Sequence, residues 1–349
     1  MTKVDLVTGF LGSGKTTFIK KYVKYLTEKG EKVGVIENDF GAISVDLMLL
    51  DNDFPQEVPV EMIVAADMDC YRRRFKTKLI SFGMQKLDRV IVEPSGIFDT
   101  DDYFDIIYDE PLERWYEKGS VITVVDSDMA SDLSAESEYI FLTQIANAGS
   151  IVFSKINEKS NQESNQESNQ DSVNNEVTTV DSVEKTKALM NSILEKYNCK
   201  RRINDDIIIQ KSWDNLTKED YEKIASSGYI SESFVKKNIY EHNFYKTLFF
   251  YNVSLEEKDI LNLIKGFFNE KELGKIYRIK GFLPKENSFT QINATRENIE
   301  ISETNNGQEV LVIIGEDLNE EKIVELIKKY SLREDIICGS TEHRNECQA

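Results

Sequence analysis

The chain has 349 residues, 40% hydrophobic and 30% charged, an ordinary folded-protein composition with length for two domains, each with its own core. Its 43 Lys and Arg against 62 Asp and Glu leave a net charge of −19, which argues against nucleic acid and against anionic membrane as partners. No apolar run approaches the ~20 residues that span a bilayer; the first strand-like run begins at once, leaving no room for a signal peptide. The four cysteines, Cys70, Cys199, Cys338 and Cys347, form no CxxC pair, so free thiols in a reducing, cytoplasmic setting are expected.

In chain order, the apolar run at residues 4–7 predicts a strand, and the spacing of Phe18, Ile19, Tyr22, Val23 and Leu26 predicts a helix. Between them lies Gly9-Phe-Leu-Gly12-Ser13-Gly14-Lys15-Thr16, followed by Thr17, which fits the phosphate-loop pattern GxxxxGK[ST]. Strand, loop and helix are the context this chemistry needs. Glycines let backbone N–H groups turn inward onto phosphate oxygens, Lys15 sets a point charge on the β- and γ-phosphates, and the Thr16 hydroxyl can hold Mg²⁺. A nucleoside triphosphate is the expected ligand.

Further Val/Ile runs at 33–36, 90–92, 121–125, 151–153 and 207–209 read as buried parallel strands alternating with helices. The expected fold is α/β: a P-loop NTPase with a doubly wound, mainly parallel sheet over residues 1–230. The runs end in polar tips, Glu37-Asn38-Asp39, Glu93, Asp126, Ser154-Lys155 and Gln210-Lys211-Ser212. Ligands bind outside the carboxyl ends of such strands, so the tips should converge on the phosphate loop. Residues 158–182, with Asn-Gln-Glu-Ser repeated at 161 and 165 and Asn-Gln-Asp-Ser at 169, lack the apolar content to offset ordering entropy. They are predicted to be a disordered low-complexity insertion. A helix is expected at 183–197. Then a smaller C-terminal α+β domain is expected over 243–332: strand 246–254, helix 256–268, strands 275–283, 289–294 and 310–314, and helix 320–330, with the helices on one face of an antiparallel sheet. Residues 333–349 read as a flexible tail.

Several stretches carry a family resemblance: Val7-Thr-Gly-Phe-Leu-Gly-Ser-Gly-Lys-Thr-Thr17, Val35-Ile-Glu-Asn-Asp-Phe-Gly41 followed by Asp46, and Asp88-Arg-Val-Ile-Val-Glu-Pro-Ser-Gly96. Val121-Ile-Thr-Val-Val-Asp126, Gln144-Ile-Ala, Ile276-Tyr-Arg-Ile-Lys-Gly-Phe282 and Val312-Ile-Ile-Gly315 extend it. Over nearly its whole length the chain resembles the CobW family of metal-handling P-loop GTPases, related to urease and hydrogenase accessory proteins. The resemblance implies a catalytic set of Lys15, Thr16 and Glu93, with Glu93 holding Mg²⁺ through water or orienting the attacking water, and with the Gly96 N–H on the terminal phosphate. It places Asp39 near Mg²⁺ or a second metal, and base recognition at Ser154, Lys155 and Asn157.

Two departures from the family pattern stand out. Its Cys-x-Cys-Cys metal motif reads here Asp67-Met68-Asp69-Cys70-Tyr71, and the acidic position after Phe40-Gly41 is Ala42. Zn²⁺ or Co²⁺ held by Asp39, Asp67, Asp69 and Cys70 is one reading, and a small buried Cys70 side chain is the other. Secondly, the guanine-reading NKxD is replaced by Ser154-Lys155-Ile156-Asn157, whose amide sets a donor where guanine also donates. GTP is therefore the family expectation, with ATP or XTP left open. The implied function is a slow Mg²⁺-dependent NTPase that hands a metal or metal cofactor to a client metalloprotein or corrinoid protein, with a nucleotide-dependent homodimer as a further partner state. The alternative is a nucleotide-gated module that assembles or reactivates such an enzyme without carrying metal.

Overall fold

In the computed structural model, described over residues 1–39, 54–55, 57–64, 68–97, 100–129, 132–156, 172–235, 245–296, 298–305 and 307–340, the chain divides into two units. The larger is built on Met1–Asn38, Phe54–Ile63 and Arg72–Asn238. Its strands are β1 (Thr2–Thr8), β2 (Val33–Asp39), β3 (Val60–Val64), β4 (Arg89–Glu93), β5 (Tyr116–Asp126), β6 (Ser150–Ser154) and β7 (Ile208–Ile209), in the order β3-β2-β4-β1-β5-β6-β7. From β2 to β7 every neighbouring pair is parallel. Buried on both faces, β4 and β6 need apolar residues at consecutive positions, which is why their Val/Ile runs do not alternate with polar ones. The expected strands are all present. β3 was not foreseen, because residues 60–62 are only partly buried and Glu61 interrupts the apolar run.

The helices are α1 (Lys15–Glu28), α2 (Met68–Gly83), α3 (Thr100–Ile107), α4 (Ala135–Ala146), α5 (Ser172–Lys196) and α6 (Lys218–Ala225). The buried stripe Phe18, Ile19, Tyr22, Val23 and Leu26 of α1 packs on Val7, Val35, Ile91, Ile122, Val124 and Val152 of the sheet. Helix α5 starts at Ser172, inside the segment expected to be without structure, while residues 158–171 lie outside the described residues. Its buried Val183, Met190, Ile193 and Leu194 anchor a helix that can propagate backward, since each added residue costs far less than nucleation. The carbonyls of Ile145 and Ala146 at the end of α4 accept from Arg201 Nη1 at 3.0 and 2.7 Å, and Arg201 Nη2 donates to Ala148 O. The guanidinium thus satisfies carbonyls that the helix leaves over.

At the amino ends of the strands a buried charge network pins the register. Asp5 is fully buried and accepts from Arg89 Nη1 at 2.6 Å, Tyr22 O–H at 2.8 Å and Ser120 N–H at 2.8 Å; Arg89 Nε also meets Glu31 at 2.9 Å. Burial pushes the Asp5 carboxyl up, and Arg89, Ser120 and Tyr22 oppose that rise. The β1–β5 register shifts between Val4 and Leu6, where the carboxylate turns into β5. A Cβ at Gly119 would stand 1.9 Å from Asp5 Oδ1, so only glycine lets the carboxylate in.

The second unit, mainly the chain after residue 238, contains β8 (Tyr245–Tyr251), α7 (Glu257–Asn269), β9 (Lys275–Pro284), β10 (Phe289–Ala294), β11 (Ile299–Thr304), β12 (Val310–Glu316), α8 (Glu320–Tyr330) and β13 (Ile337–Ser340). Its sheet, β11-β10-β9-β12-β8-β13, is antiparallel throughout. Ile260, Leu263, Ile264 and Phe267 of α7, with Ile323 and Ile327 of α8, share one core with Leu248, Phe250, Ile279, Leu311 and Ile313. Two strands go beyond the expected order. β11 is largely exposed and so lacks an apolar signature. β13 corrects the expectation of a flexible tail over 333–349: Ile337–Ser340 pair with β8, Cys338 opposite Phe250, satisfying an edge that would otherwise be open. Residues 341–349 lie outside the described residues.

Replacing Arg89 by Met strands a buried carboxylate and should cost about 3–5 kcal/mol in urea denaturation of the full chain. Adding Asp5→Asn to that variant removes the stranded charge and should return part of the loss. Equal losses in the single and double variants would show that charge pairing is not what pins this corner.

Candidate functional site

Strand β1 ends at Thr8 and helix α1 begins at Lys15, and the loop between them turns at Gly14, whose φ of +94° suits glycine. Helices α4, α6 and α8 open on side-chain caps from Ser134, Thr217 and Asn319. Helix α1 has no side-chain cap and no acidic residue in its first turn, which leaves its amino end suited to an anion. Lys15 is buried, with Nζ donating to Gly9 O at 2.9 Å and Phe10 O at 3.3 Å, so the ammonium arches back over the loop. The hydroxyls of Ser13 and Thr8 are buried with no hydrogen-bond partner. Such orphans are costly and call for an acceptor; phosphate oxygens are acceptors.

Parallel pairing sets β4 beside β1, Val92 opposite Leu6, and carries Glu93 to the same edge. There the Thr16 hydroxyl donates to Glu93 Oε1 at 2.8 Å. The two oxygens are both hard donors, and their separation is close to the edge of ~3 Å between neighbouring ligands of an octahedral Mg²⁺ ion. This donor set fits Mg²⁺. Beyond Glu93 the chain passes against the phosphate loop: a Cβ on Gly96 would stand 2.7 Å from the backbone N and 2.9 Å from the Cα of Leu11. Only glycine permits that approach.

On the other side of β1, the tips of β5 and β6 are tied together. Lys155 Nζ meets Asp126 Oδ2 at 2.5 Å, Asp126 Oδ1 accepts from the Asp128 N–H at 3.0 Å, and the Ser127 N–H donates to Ser154 O at 3.2 Å. Lys155 has a φ of +57°, a left-handed conformation held at the strand tip. Trp213 follows β7. Its Nε1 donates to Phe153 O at 2.9 Å, its ring stands edge-on to Phe18 with centroids 5.7 Å apart, and its Cη2 lies 3.0 Å from where a Gly14 Cβ would be. The polar tip read from the sequence stopped at Ser212; one residue further lies the side chain that reaches the loop. The site is therefore elongated, with Thr16, Glu93 and Gly96 on the β4 side and Asp126, Ser154, Lys155 and Trp213 on the β5–β7 side.

Gly9, Gly12, Ser13, Gly14, Lys15, Thr16, Thr17, Glu93, Gly96, Ser154 and Lys155 thus come together at the carboxyl edge of one sheet. Asn157 and Asp67 lie outside the described residues, as do the side chains of Asp39, Asp69 and Cys70. On the backbone, Asp39 closes β2, and Asp69 and Cys70 stand in the first turn of α2. Among the described residues no group of three or more His, Cys, Asp and Glu is placed to hold a metal ion. Among them, too, no helix is long and apolar enough to cross a membrane.

The chain is similar to several known proteins. The chain is 29% identical over 157 residues to the zinc chaperone YeiR of Escherichia coli (strain K12), covering 44% of this chain and 47% of that protein. It is 29% identical over 160 residues to the zinc chaperone YjiA of the same organism, covering 44% and 48%. The chain thus spans about half the length of these relatives. The crystal structure of Zn(II)-bound YjiA GTPase from E. coli aligns over 94% of this chain and 98% of that one at 17% identity, with a TM-score of 0.35. The family model described as CobW/HypB/UreG, nucleotide-binding domain, matches residues 3–181, half of the chain. By that match the chain belongs to the CobW/HypB/UreG family.

Proposed function

We propose that the chain is a slow, Mg²⁺-dependent GTPase that couples nucleotide binding and hydrolysis to the delivery of a metal, or a metal-bearing cofactor, to a client metalloprotein. The observation that carries this is the 2.8 Å contact between Thr16 and Glu93 at the mouth of the phosphate loop. Triphosphate entering the loop gives Lys15 better acceptors than the carbonyls of Gly9 and Phe10, and its ammonium moves onto the terminal phosphates. The Thr16 hydroxyl and the Glu93 carboxylate would hold Mg²⁺, which when bound neutralises phosphate charge. Glu93 also orients the attacking water, and the Gly96 N–H faces the terminal phosphate; positioning and charge stabilisation then supply most of the rate.

Zinc is the proposed cargo, supported by the printed names of YeiR and YjiA as zinc chaperones. The ligands proposed for it are Cys70 with Asp39, Asp67 and Asp69, one thiolate among carboxylates, a set that would also accept Co²⁺. One observation favours the second reading, a nucleotide-gated module that acts on a metallo- or corrinoid enzyme without carrying metal: Cys70 is the single thiol in the stretch where the family motif has three.

In calorimetric titrations, Lys15→Ala should abolish triphosphate binding; unchanged affinity would remove the foundation of this proposal. Glu93→Gln should slow hydrolysis at least roughly a hundredfold while changing nucleotide affinity much less. Zn²⁺ titrated with a non-hydrolysable GTP analogue and Mg²⁺ should occupy one site that Cys70→Ser weakens. Absence of that site would leave the metal-free switch.

A further inference from the structure

We infer that Gln144 is a positioning residue: by holding the carbonyl of Gly96 it lets the site distinguish a bound triphosphate from a diphosphate. The inference rests on the nucleotide reading above. Gln144 lies in the last turn of α4 and is fully buried, and its Nε2 donates to Gly96 O at 3.0 Å. A carbonyl can only accept, so the amide NH₂ must be the end that faces it. The other end, Oε1, is buried with no hydrogen-bond partner. As packing alone this is a poor choice of residue, since methionine would fill a similar space without an orphaned oxygen. The side chain makes sense through what its NH₂ holds.

What it holds is the point where the chain leaving β4 touches the phosphate loop, with Gly96 against the Leu11 backbone. The same turn of α4 holds the far side of this stretch. The Thr100 hydroxyl, at the start of α3, donates to Thr143 O at 2.7 Å, and Asn147 Nδ2 donates to Thr100 Oγ1 at 3.1 Å. The anchor itself is fixed. Gln144 O accepts from the Thr123 hydroxyl of β5 at 2.7 Å, and the next two carbonyls are taken by Arg201. With its carbonyl tied to this turn, Gly96 presents its N–H to a terminal phosphate without further ordering. Released, it must be ordered by the phosphate itself, and that cost falls on triphosphate binding only.

The test is the ratio of dissociation constants for GDP and for a non-hydrolysable GTP analogue, both with Mg²⁺, in the full-length wild type, Gln144→Met and Gln144→Leu. Loss of one buried hydrogen bond predicts that both variants shift the ratio roughly three- to tenfold against the triphosphate, with GDP affinity held within about twofold. The midpoint of thermal unfolding of Gln144→Met should move by only about a few degrees. Gln144→Leu likewise lacks the donor and adds no polar atom, so it serves if the methionine variant fails to fold. An unchanged ratio in a folded variant overturns the inference and leaves the nucleotide reading standing, as does an equal fall in both affinities. A wild type that binds neither nucleotide takes both down.

Discussion

Parallel pairing of β4 against β1 is the constraint on which the site depends. The phosphate loop can be written into any strand–helix junction, but the carboxylate that meets its threonine must arrive from elsewhere in the chain, at a distance that the pairing of two strands sets. The Val92–Leu6 register delivers it, bringing Glu93 to Thr16 across 77 residues of sequence. At the opposite edge the Asp5–Arg89 pair joins the same two strands. A buried ion pair contributes little net stability compared with apolar packing, yet a slip of one residue would strand both charges, so its effect is on register. The carboxylate at the phosphate loop and the carboxylate that aligns the strands belong to one two-strand unit.

Much of this was legible in the sequence, for reasons that particular residues make plain. The loop from Gly9 to Thr16 is contiguous, and its chemistry is a matter of adjacent backbone groups, so the pattern alone conveys it. The core strands announced themselves because burial on both faces requires unbroken apolar runs. What stayed hidden depends on partners distant in sequence. Gln144 belongs to a stretch that carries the family resemblance, but its sequence suggests no role until its amide is seen on the Gly96 carbonyl. Trp213 reads as a chance aromatic in a polar turn until it is seen against Gly14. β11 and β13 lie at the edges of the second sheet, where the exposed Glu300 and Ser302 and the half-buried Gly339 carry little strand signal.

The second unit is organised differently. Its antiparallel sheet buries one apolar layer beneath α7 and α8, and the amphipathic spacing of those helices was readable because each has a single buried face. The large unit needs helices on both faces of its sheet and therefore long crossover connections, and those connections supply the loops of the site. Among its described residues the small unit is joined mostly by short turns, and no strand there runs through a glycine-rich loop into a helix.

The chain's two tryptophans fall at opposite edges of the large sheet. Trp115 is 40% exposed, and its carbonyl accepts from the N–H of Thr2, where β1 begins; Trp213 is lodged where β1 gives way to the phosphate loop. The second unit has no indole. Tryptophan emission from this protein is therefore a local signal from a single sheet, one dye at the wet amino edge and one beside the phosphate loop. Exchanging Trp115 for phenylalanine leaves Trp213, beside the phosphate loop, as the sole source of indole emission.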